Sequence, residues 1–126
     1  FALLMAASNA NAQETMTIKD INQFGWEYLG KKVKIYTYLK DVNACKHPSN
    51  RGKVCTLMRH DKSYFNAIFA KGFKSKVIKP LLENCVEMRG TILEFDTLTK
   101  GYPTTLPLLN IENIELADKS KCLFLN

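Results

Sequence analysis

The chain has 126 residues, a length that suits one domain rather than two. Apolar residues make up 46% and charged residues 24% of it, which excludes a disordered chain, a collagen-like chain and a bundle of membrane spans. The formal net charge of +6 favours anionic over cationic partners.

The N-terminal segment has the features of a signal peptide. Residues 1–7 are purely apolar, and Ala10 and Ala12 place small side chains at the two positions that a signal peptidase reads. The apolar run is too short to span a bilayer. We therefore expect cleavage before Gln13, leaving residues 13–126 as a single domain that a bacterium exports to the periplasm or secretes. An apolar N-terminal strand or helical turn is the alternative.

Four cysteines follow, and export changes how they are interpreted. In an oxidising compartment, disulfides are favoured over metal ligands or nucleophiles. Cys45–Cys55 and Cys85–Cys122 form the most economical of the three possible pairings, because the first closes one polar loop and the second ties the C-terminal tail to the body. A zinc site is the alternative, since two histidines flank the same loop, but their spacing matches no standard zinc finger. We expect no metal and no cofactor.

A short helix is predicted near the start of the mature chain. Thr17 is the expected N-cap, Asp20 occupies the capping-box position, and Gly25 ends the helix. One side of this helix is apolar, and its members stand at helical spacing: Ile18, Ile21 and Phe24.

The clearest strand covers residues 33–40, where two kinds of side chain alternate. The face expected in the core carries Val33, Ile35, Thr37 and Leu39. The face expected in solvent carries two cations and two rings: Lys34, Tyr36, Tyr38 and Lys40.

The rest of the chain adds four strands and one helix. Polar residues with Pro and Gly predict a loop over residues 41–53, and a hairpin of two strands follows over residues 54–59 and 64–70. A short helix is expected over residues 75–84, either starting or bending at Pro80.

The last two predicted strands complete this order. The fourth strand begins at Cys85 and has Gly90 at a bulge or bend. A turn around residues 100–103 leads to the fifth strand, over residues 106–116.

Five strands with a helix between the third and fourth form the order of the OB-fold barrel. Residues 29–35 resemble the opening strand of many OB domains, residues 88–92 resemble the fourth strand, and residues 108–114 resemble the closing one. The chain is thus similar, over residues 29–116, to small exported bacterial OB-fold proteins. The resemblance implies a mainly β, five-stranded OB-like Greek-key barrel with a short N-terminal helix and a helix between strands 3 and 4. Other small barrels and α+β folds are the alternatives.

Positive charge is concentrated in the middle of the chain. Residues 31–79 hold thirteen basic and two acidic residues, whereas the mature segments on either side hold more acidic than basic ones. In the OB order, this middle part supplies the first three strands and the loop between the first two, which form the usual ligand surface of that barrel.

The candidate ligand site is the basic, tyrosine-bearing face of this barrel. Rings stack on bases or sugars while cations follow phosphates. The predicted ligand-binding residues are Lys34, Tyr36, Tyr38, Lys40, Arg51, Lys53, Arg59 and Lys62. We expect an anionic polymer, a lipid head group or an acidic protein of the cell envelope as partner, in preference to nucleic acid. Tyrosine and lysine are also ordinary occupants of exposed strand positions, which is the alternative.

Five further aromatic residues are expected in the core: Trp26, Phe65, Phe69, Phe73 and Phe95. The sequence holds no glycine-rich phosphate loop, zinc-protease helix motif or nucleophile elbow, so we expect no enzyme activity. The predicted function is that of an exported, non-catalytic binding module. A periplasmic immunity or inhibitor protein, or a subunit of an envelope complex that binds one specific protein, is the alternative.

Overall fold

The structure is a computed structural model that describes residues 14–60, 63–99 and 101–125. The predicted signal segment, its cleavage site and Lys62 of the predicted ligand site lie outside the described residues. So does the centre of the predicted hairpin turn.

The N-terminal part forms strand β1 (Glu14–Thr15) and helix α1 (Ile18–Phe24), followed by a 3-10 turn (Gly25–Tyr28). The capping box at the start of α1 is confirmed: the backbone N–H of Thr17 donates to Asp20 Oδ2, and that of Asp20 donates to Thr17 Oγ1, each at 3.0 Å. Phe24, predicted on the buried side, is 40% exposed, because α1 ends there and only its first two apolar positions are buried.

The second strand is longer than predicted. β2 (Lys32–Ala44) continues past residue 40 because a β-bulge between Leu39 and Asp41 lets it keep pairing where a loop was expected. The alternation of its first half is confirmed, since Val33, Ile35, Thr37 and Leu39 are all fully buried. A 3-10 turn (Pro48–Asn50) then leads into β3 (Val54–His60) and β4 (Ser63–Phe69), within one residue of the predicted bounds.

The predicted second helix is shorter than expected. α2 (Ser75–Ile78) is followed by a 3-10 turn (Lys79–Leu81) that holds Pro80 in its first turn, where the missing N–H of proline removes no hydrogen bond. The last two strands, β5 (Cys85–Thr99) and β6 (Tyr102–Leu116), form one long hairpin.

Five of the six strands close into a ring. The order is β1-β2-β3-β4-β6-β5, and β5 pairs back to β2. β4 and β6 run parallel, whereas the other neighbours in the ring are antiparallel. With α2 between the third and fourth strands of this ring, the predicted OB-like barrel is confirmed. The short β1 lies outside it, parallel to the start of β2.

At Gly90 the backbone of β5 lies close against the backbone of β6. The register of β5 on β6 shifts between Arg89 and Gly90, so the predicted bulge is confirmed. A Cβ at this position would overlap the carbonyl oxygen of Asn110 and stand 3.2 Å from the Cα of Ile111. Only glycine fits, because the obstacle is backbone that cannot rotate away.

Both predicted disulfides are present. Cys45 and Cys55 are bonded with their Cα atoms 5.0 Å apart, and Cys85 and Cys122 with theirs 6.0 Å apart. The second bond fixes the 3-10 segment Lys119–Leu125 to the start of β5. Two disulfides suit a protein of an oxidising compartment. Among the described residues, no helix has the length and apolar character to cross a membrane.

Candidate ligand-binding groove

The barrel wall is only partly closed between β4 and β6. Among the described residues, these strands pair only at Ile68–Asn110 and Phe69–Ile111. Asn66 and Leu108 stand two residues before the first pair on their strands, and they line both of two adjoining cavities. The two cavities together form what we call the side groove, which runs along this opening.

The larger cavity of the side groove has a volume of about 300 Å³. Its walls include Asp41 and Asn43, which are exposed on either side of the buried Val42 and therefore lie on the outside of β2. The Cys45–Cys55 disulfide also lines it. The cavity also borders β3 and β4, which are the second and third barrel strands, and the loop that joins the first two barrel strands. OB folds bind oligonucleotides and oligosaccharides on this surface.

The loop that borders this cavity is held against the β5–β6 hairpin. Ser49 Oγ donates to Asp96 Oδ2 at 3.1 Å, and Asn50 Nδ2 donates to the carbonyl oxygen of Asp96 at 3.0 Å. His47 Nδ1 accepts from the backbone N–H of Ser49 at 3.1 Å. The loop therefore forms a fixed wall rather than a free flap.

Trp26 stands at the other end of the side groove, beside a cavity of about 170 Å³. The prediction that Trp26 lies in the core is wrong, because the side chain is 54% exposed. The preceding Gly25 lies so close to β6 that a Cβ would stand 2.8 Å from Pro107 Cγ. This contact fixes the 3-10 turn on the barrel surface and leaves the indole at the rim of the groove.

The other aromatic predictions have mixed outcomes. Phe69 and Phe95 are buried, as predicted. Phe73 is half-buried and packs on Phe69 with ring centroids 5.2 Å apart. The side chain of Phe65 lies outside what the structure describes.

The side groove has carboxylates within it, and three cations lie on the loop that borders it. Asp41 accepts from the backbone N–H of Val42 and from Asn43 Nδ2, both at 2.8 Å. Lys46 lines the larger cavity, and Arg51 and Lys53 follow on the same loop. In the described part of the chain, none of these three cations forms an ion pair, and no cluster of metal-ligating side chains is present.

One hydroxyl at the groove makes no hydrogen bond within the described part of the chain. Thr97 lines the larger cavity, and its Oγ1 is buried without a hydrogen bond in the described structure. A buried polar group left unpaired costs about 1–3 kcal/mol, so a polar ligand that reaches it would gain an interaction that the protein does not supply.

The predicted tyrosine-bearing face lies elsewhere on β2, against β5 and the C-terminal segment. Tyr36 and Tyr38 pack against the buried Cys85–Cys122 disulfide. Tyr36 Oη donates to Glu87 Oε1 at 3.0 Å, and Lys40 Nζ lies 2.8 Å from Glu83 Oε2. The rings are therefore half-buried structural contacts of the tail.

Glu87 is the buried centre of this face. Lys34 Nζ lies 3.9 Å from one of its oxygens and Arg89 Nη2 lies 3.2 Å from the other. Burial acts to raise the pKa of Glu87, but the hydrogen bonds that it accepts from Tyr36 and Arg89 hold that pKa below its ordinary value. Burial, followed by the hydrogen bond to Glu87, raises the pKa of Tyr36.

Six of the eight predicted site residues thus fall into two groups. Four lie on the β2–β5 face just described, namely Lys34, Tyr36, Tyr38 and Lys40. Arg51 and Lys53 lie on the groove loop, where Lys53 Nζ stands 5.4 Å from the centre of the Phe95 ring. The backbone of Arg59 is paired with that of Tyr38, and Lys62 lies outside the described residues. Ligand binding by these residues remains a prediction.

Sequence reasoning missed most of the side groove. Asp41 and Asn43 were placed in a loop, because the bulge that prolongs β2 has no clear signature in the sequence. Asp96 lies far away in the chain, and only the pairing of β5 with β6 brings it to the loop. One signal was available: Trp26 follows the glycine that ends α1, outside any alternating run.

Comparisons with known proteins support the fold. No protein-family model and no curated protein sequence matches the chain. Among solved structures, the chain is similar to one described as an aspartyl-tRNA synthetase from Leishmania major Friedlin, with a TM-score of 0.57 and 12% identity. The match covers 84% of this chain but only 21% of that one. At this identity the likeness shows the fold alone.

Proposed function

We propose that the protein is a non-catalytic binding module that holds an anionic polymer in the side groove. The observation that carries the proposal is the position of the groove: about 300 Å³ of open volume on the ligand-binding surface of an OB-like barrel, between the first loop and the long hairpin. Lys46, Arg51 and Lys53 would follow the charges of the polymer, while Trp26 offers a ring for stacking on a base or sugar.

Several features support an extended ligand rather than a small compact one. The two cavities adjoin at Asn66 and Leu108, and the groove has no closed wall over it. Polar groups at Asn43 and Asn66 can bond to a polar backbone, and the indole at one end and the cations at the other suit a chain that passes between them.

Two classes of anionic polymer remain to be distinguished by experiment. An acidic polysaccharide of the cell envelope fits the compartment that the predicted signal segment and the disulfides favour, which we propose to be the bacterial periplasm. Single-stranded nucleic acid fits the stacking ring, and the similar solved structure belongs to a protein named for tRNA. We favour the polysaccharide, because the proposed compartment normally holds little nucleic acid.

The binding test uses residues 13–126 and measures fluorescence anisotropy of a labelled sulfated oligosaccharide, with labelled oligo(dT) in parallel, over a salt series. Release of counterions by three cations predicts a log–log salt slope of about −2. The double variant Arg51→Ser/Lys53→Ser should weaken binding and make the slope shallower by about 1.4.

The matched control is Lys119→Ser/Lys121→Ser, which removes the same charge from exposed positions on the C-terminal segment, away from the groove. It should leave the slope unchanged. Equal effects of the two double variants would show a generally basic surface and overturn the groove proposal. Failure of both probes to bind at low salt would overturn the anionic-polymer proposal itself.

An exposed apolar area favours a second candidate function, a specific protein partner. Phe24, Trp26 and Leu106 are all exposed, and tryptophan in such surroundings is a common anchor of protein interfaces. If a partner is anchored there, a pull-down from envelope extract of the host should retain one protein at high salt, and Trp26→Ala should release it. Retention by the variant at the wild-type level would contradict this candidate.

A further inference from the structure

A second concentration of positive charge lies between β4 and β5, apart from the side groove. Four exposed lysines stand there within nine residues: Lys71, Lys74, Lys76 and Lys79. We call these four the lysine patch. No Asp or Glu occurs from residue 62 to residue 82, so nothing in this part of the sequence offsets their charge.

The lysine patch has no acidic partner in the described structure. None of its four lysines belongs to an ion pair there. The first acidic residue that follows, Glu83, is engaged by Lys40 at 2.8 Å. The four cations are therefore available to an external anion.

The segment that carries the patch is fixed to the barrel. Ile78 is fully buried in the core. Residues before and after it in the sequence also pack against the core, namely Phe73, Leu81 and Leu82. In contrast, Val77 is 63% exposed in the middle of the patch, and it is one of the most exposed large apolar side chains described. The arrangement combines four cations with one protruding aliphatic group on an anchored support.

We propose that the lysine patch docks the protein onto the surface of a bilayer that contains anionic phospholipid, with Val77 inserted among the head groups. Each lysine near such a surface is attracted by the negative surface potential, and a branched aliphatic side chain gains from leaving water. This binding is independent of the side groove. It would hold the module at a membrane while the groove takes its own ligand.

The chemistry of the patch favours a lipid surface over nucleic acid. Binding of single strands depends on exposed aromatic rings for stacking. The ring in this segment, Phe73, is half-buried against Phe69. The exposed apolar group is instead Val77, which has no face for a base but fits the head-group region of a bilayer.

The test is co-sedimentation of residues 13–126 with vesicles of phosphatidylcholine, with and without phosphatidylglycerol. The wild type should bind only the vesicles that contain phosphatidylglycerol. Lys74→Ser/Lys76→Ser/Lys79→Ser should lower the partition coefficient about a hundredfold. The matched control Lys19→Ser/Lys31→Ser/Lys119→Ser removes the same charge elsewhere and should lower it less than about tenfold.

Two further readouts separate docking from general attraction. A Val77→Trp variant in a Trp26→Phe background should show a blue shift of its emission when phosphatidylglycerol vesicles are added. An unshifted emission contradicts insertion, and equal losses in the two lysine variants contradict a localised patch. If oligo(dT) binding is lost in the patch variant while vesicle binding persists, the patch is a nucleic-acid site and the proposal is overturned.

Discussion

The two disulfides close loops of different length and lie in different parts of the barrel. Cys45–Cys55 spans 10 residues and forms part of the groove wall, whereas Cys85–Cys122 spans 37 and ties down the C-terminal segment. Replacing each pair with alanine therefore separates stability from ligand binding.

The expected losses follow from the loop lengths. A crosslink restricts the unfolded chain by an amount that grows with the logarithm of the loop, which gives about 2.7 kcal/mol for the shorter bond and about 3.8 kcal/mol for the longer one. The longer bond should cost somewhat more still, because Cys85 and Cys122 are buried and Tyr36 and Tyr38 pack against them.

Urea unfolding followed by circular dichroism measures both losses, and anisotropy measures binding under native conditions. Cys45→Ala/Cys55→Ala should weaken binding of the anionic probe, since it frees one wall of the side groove. Cys85→Ala/Cys122→Ala should leave binding unchanged wherever the protein stays folded. A larger stability loss in the first variant, or a binding loss confined to the second, would contradict this prediction.

Three other predictions concern the barrel and its buried charge. Gly90→Ala should cost about 3 kcal/mol of unfolding free energy because the new Cβ meets the backbone of Asn110, whereas Gly30→Ala, at a φ of +81° with no atom within 4 Å, should cost about 1 kcal/mol. Equal losses in urea titrations of the two variants would contradict the close contact at Gly90. Because folding lowers the pKa of Glu87, this residue stabilises the protein above its ordinary pKa of 4.5, and that stability is lost as the pH falls through the folded pKa. Glu87→Gln should therefore show a shallower loss of melting temperature on acidification, and a profile identical to that of the wild type would contradict this assignment. Tyr36→Phe removes the hydrogen bond to Glu87 and should cost about 1 kcal/mol, and no measurable loss would mean that water replaces it.

Much of the barrel could be predicted because its signals are local. The alternation of β2, the capping box of α1 and the small residue at the β5 bulge each depend on a few neighbouring positions. The disulfide pairing followed from joining each cysteine to its neighbour in the order of the four cysteines along the chain. The length of β2 could not be predicted, because it depends on a bulge that only pairing with β3 stabilises.

The candidate site was less accessible to sequence reasoning for a physical reason. Alternation correctly placed Tyr36 and Tyr38 on the outside of β2, but their cover comes from a segment more than eighty residues away in the sequence. The groove depends on where β4 and β6 separate, which no local pattern records. Trp26 was assigned to the core because a lone tryptophan beside a strand is usually buried, but the contact of Gly25 with Pro107 leaves it exposed.

The most direct test of the groove is a titration of isotope-labelled protein, residues 13–126, with the sulfated oligosaccharide, followed by two-dimensional amide NMR. The indole N–H of Trp26 is a single resolved signal, and the side-chain amides of Asn43 and Asn66 report from within the groove. We predict saturable shifts of these three signals. Shifts confined to Tyr36, Tyr38 and their neighbours would instead place the ligand on the β2–β5 face and contradict binding in the side groove.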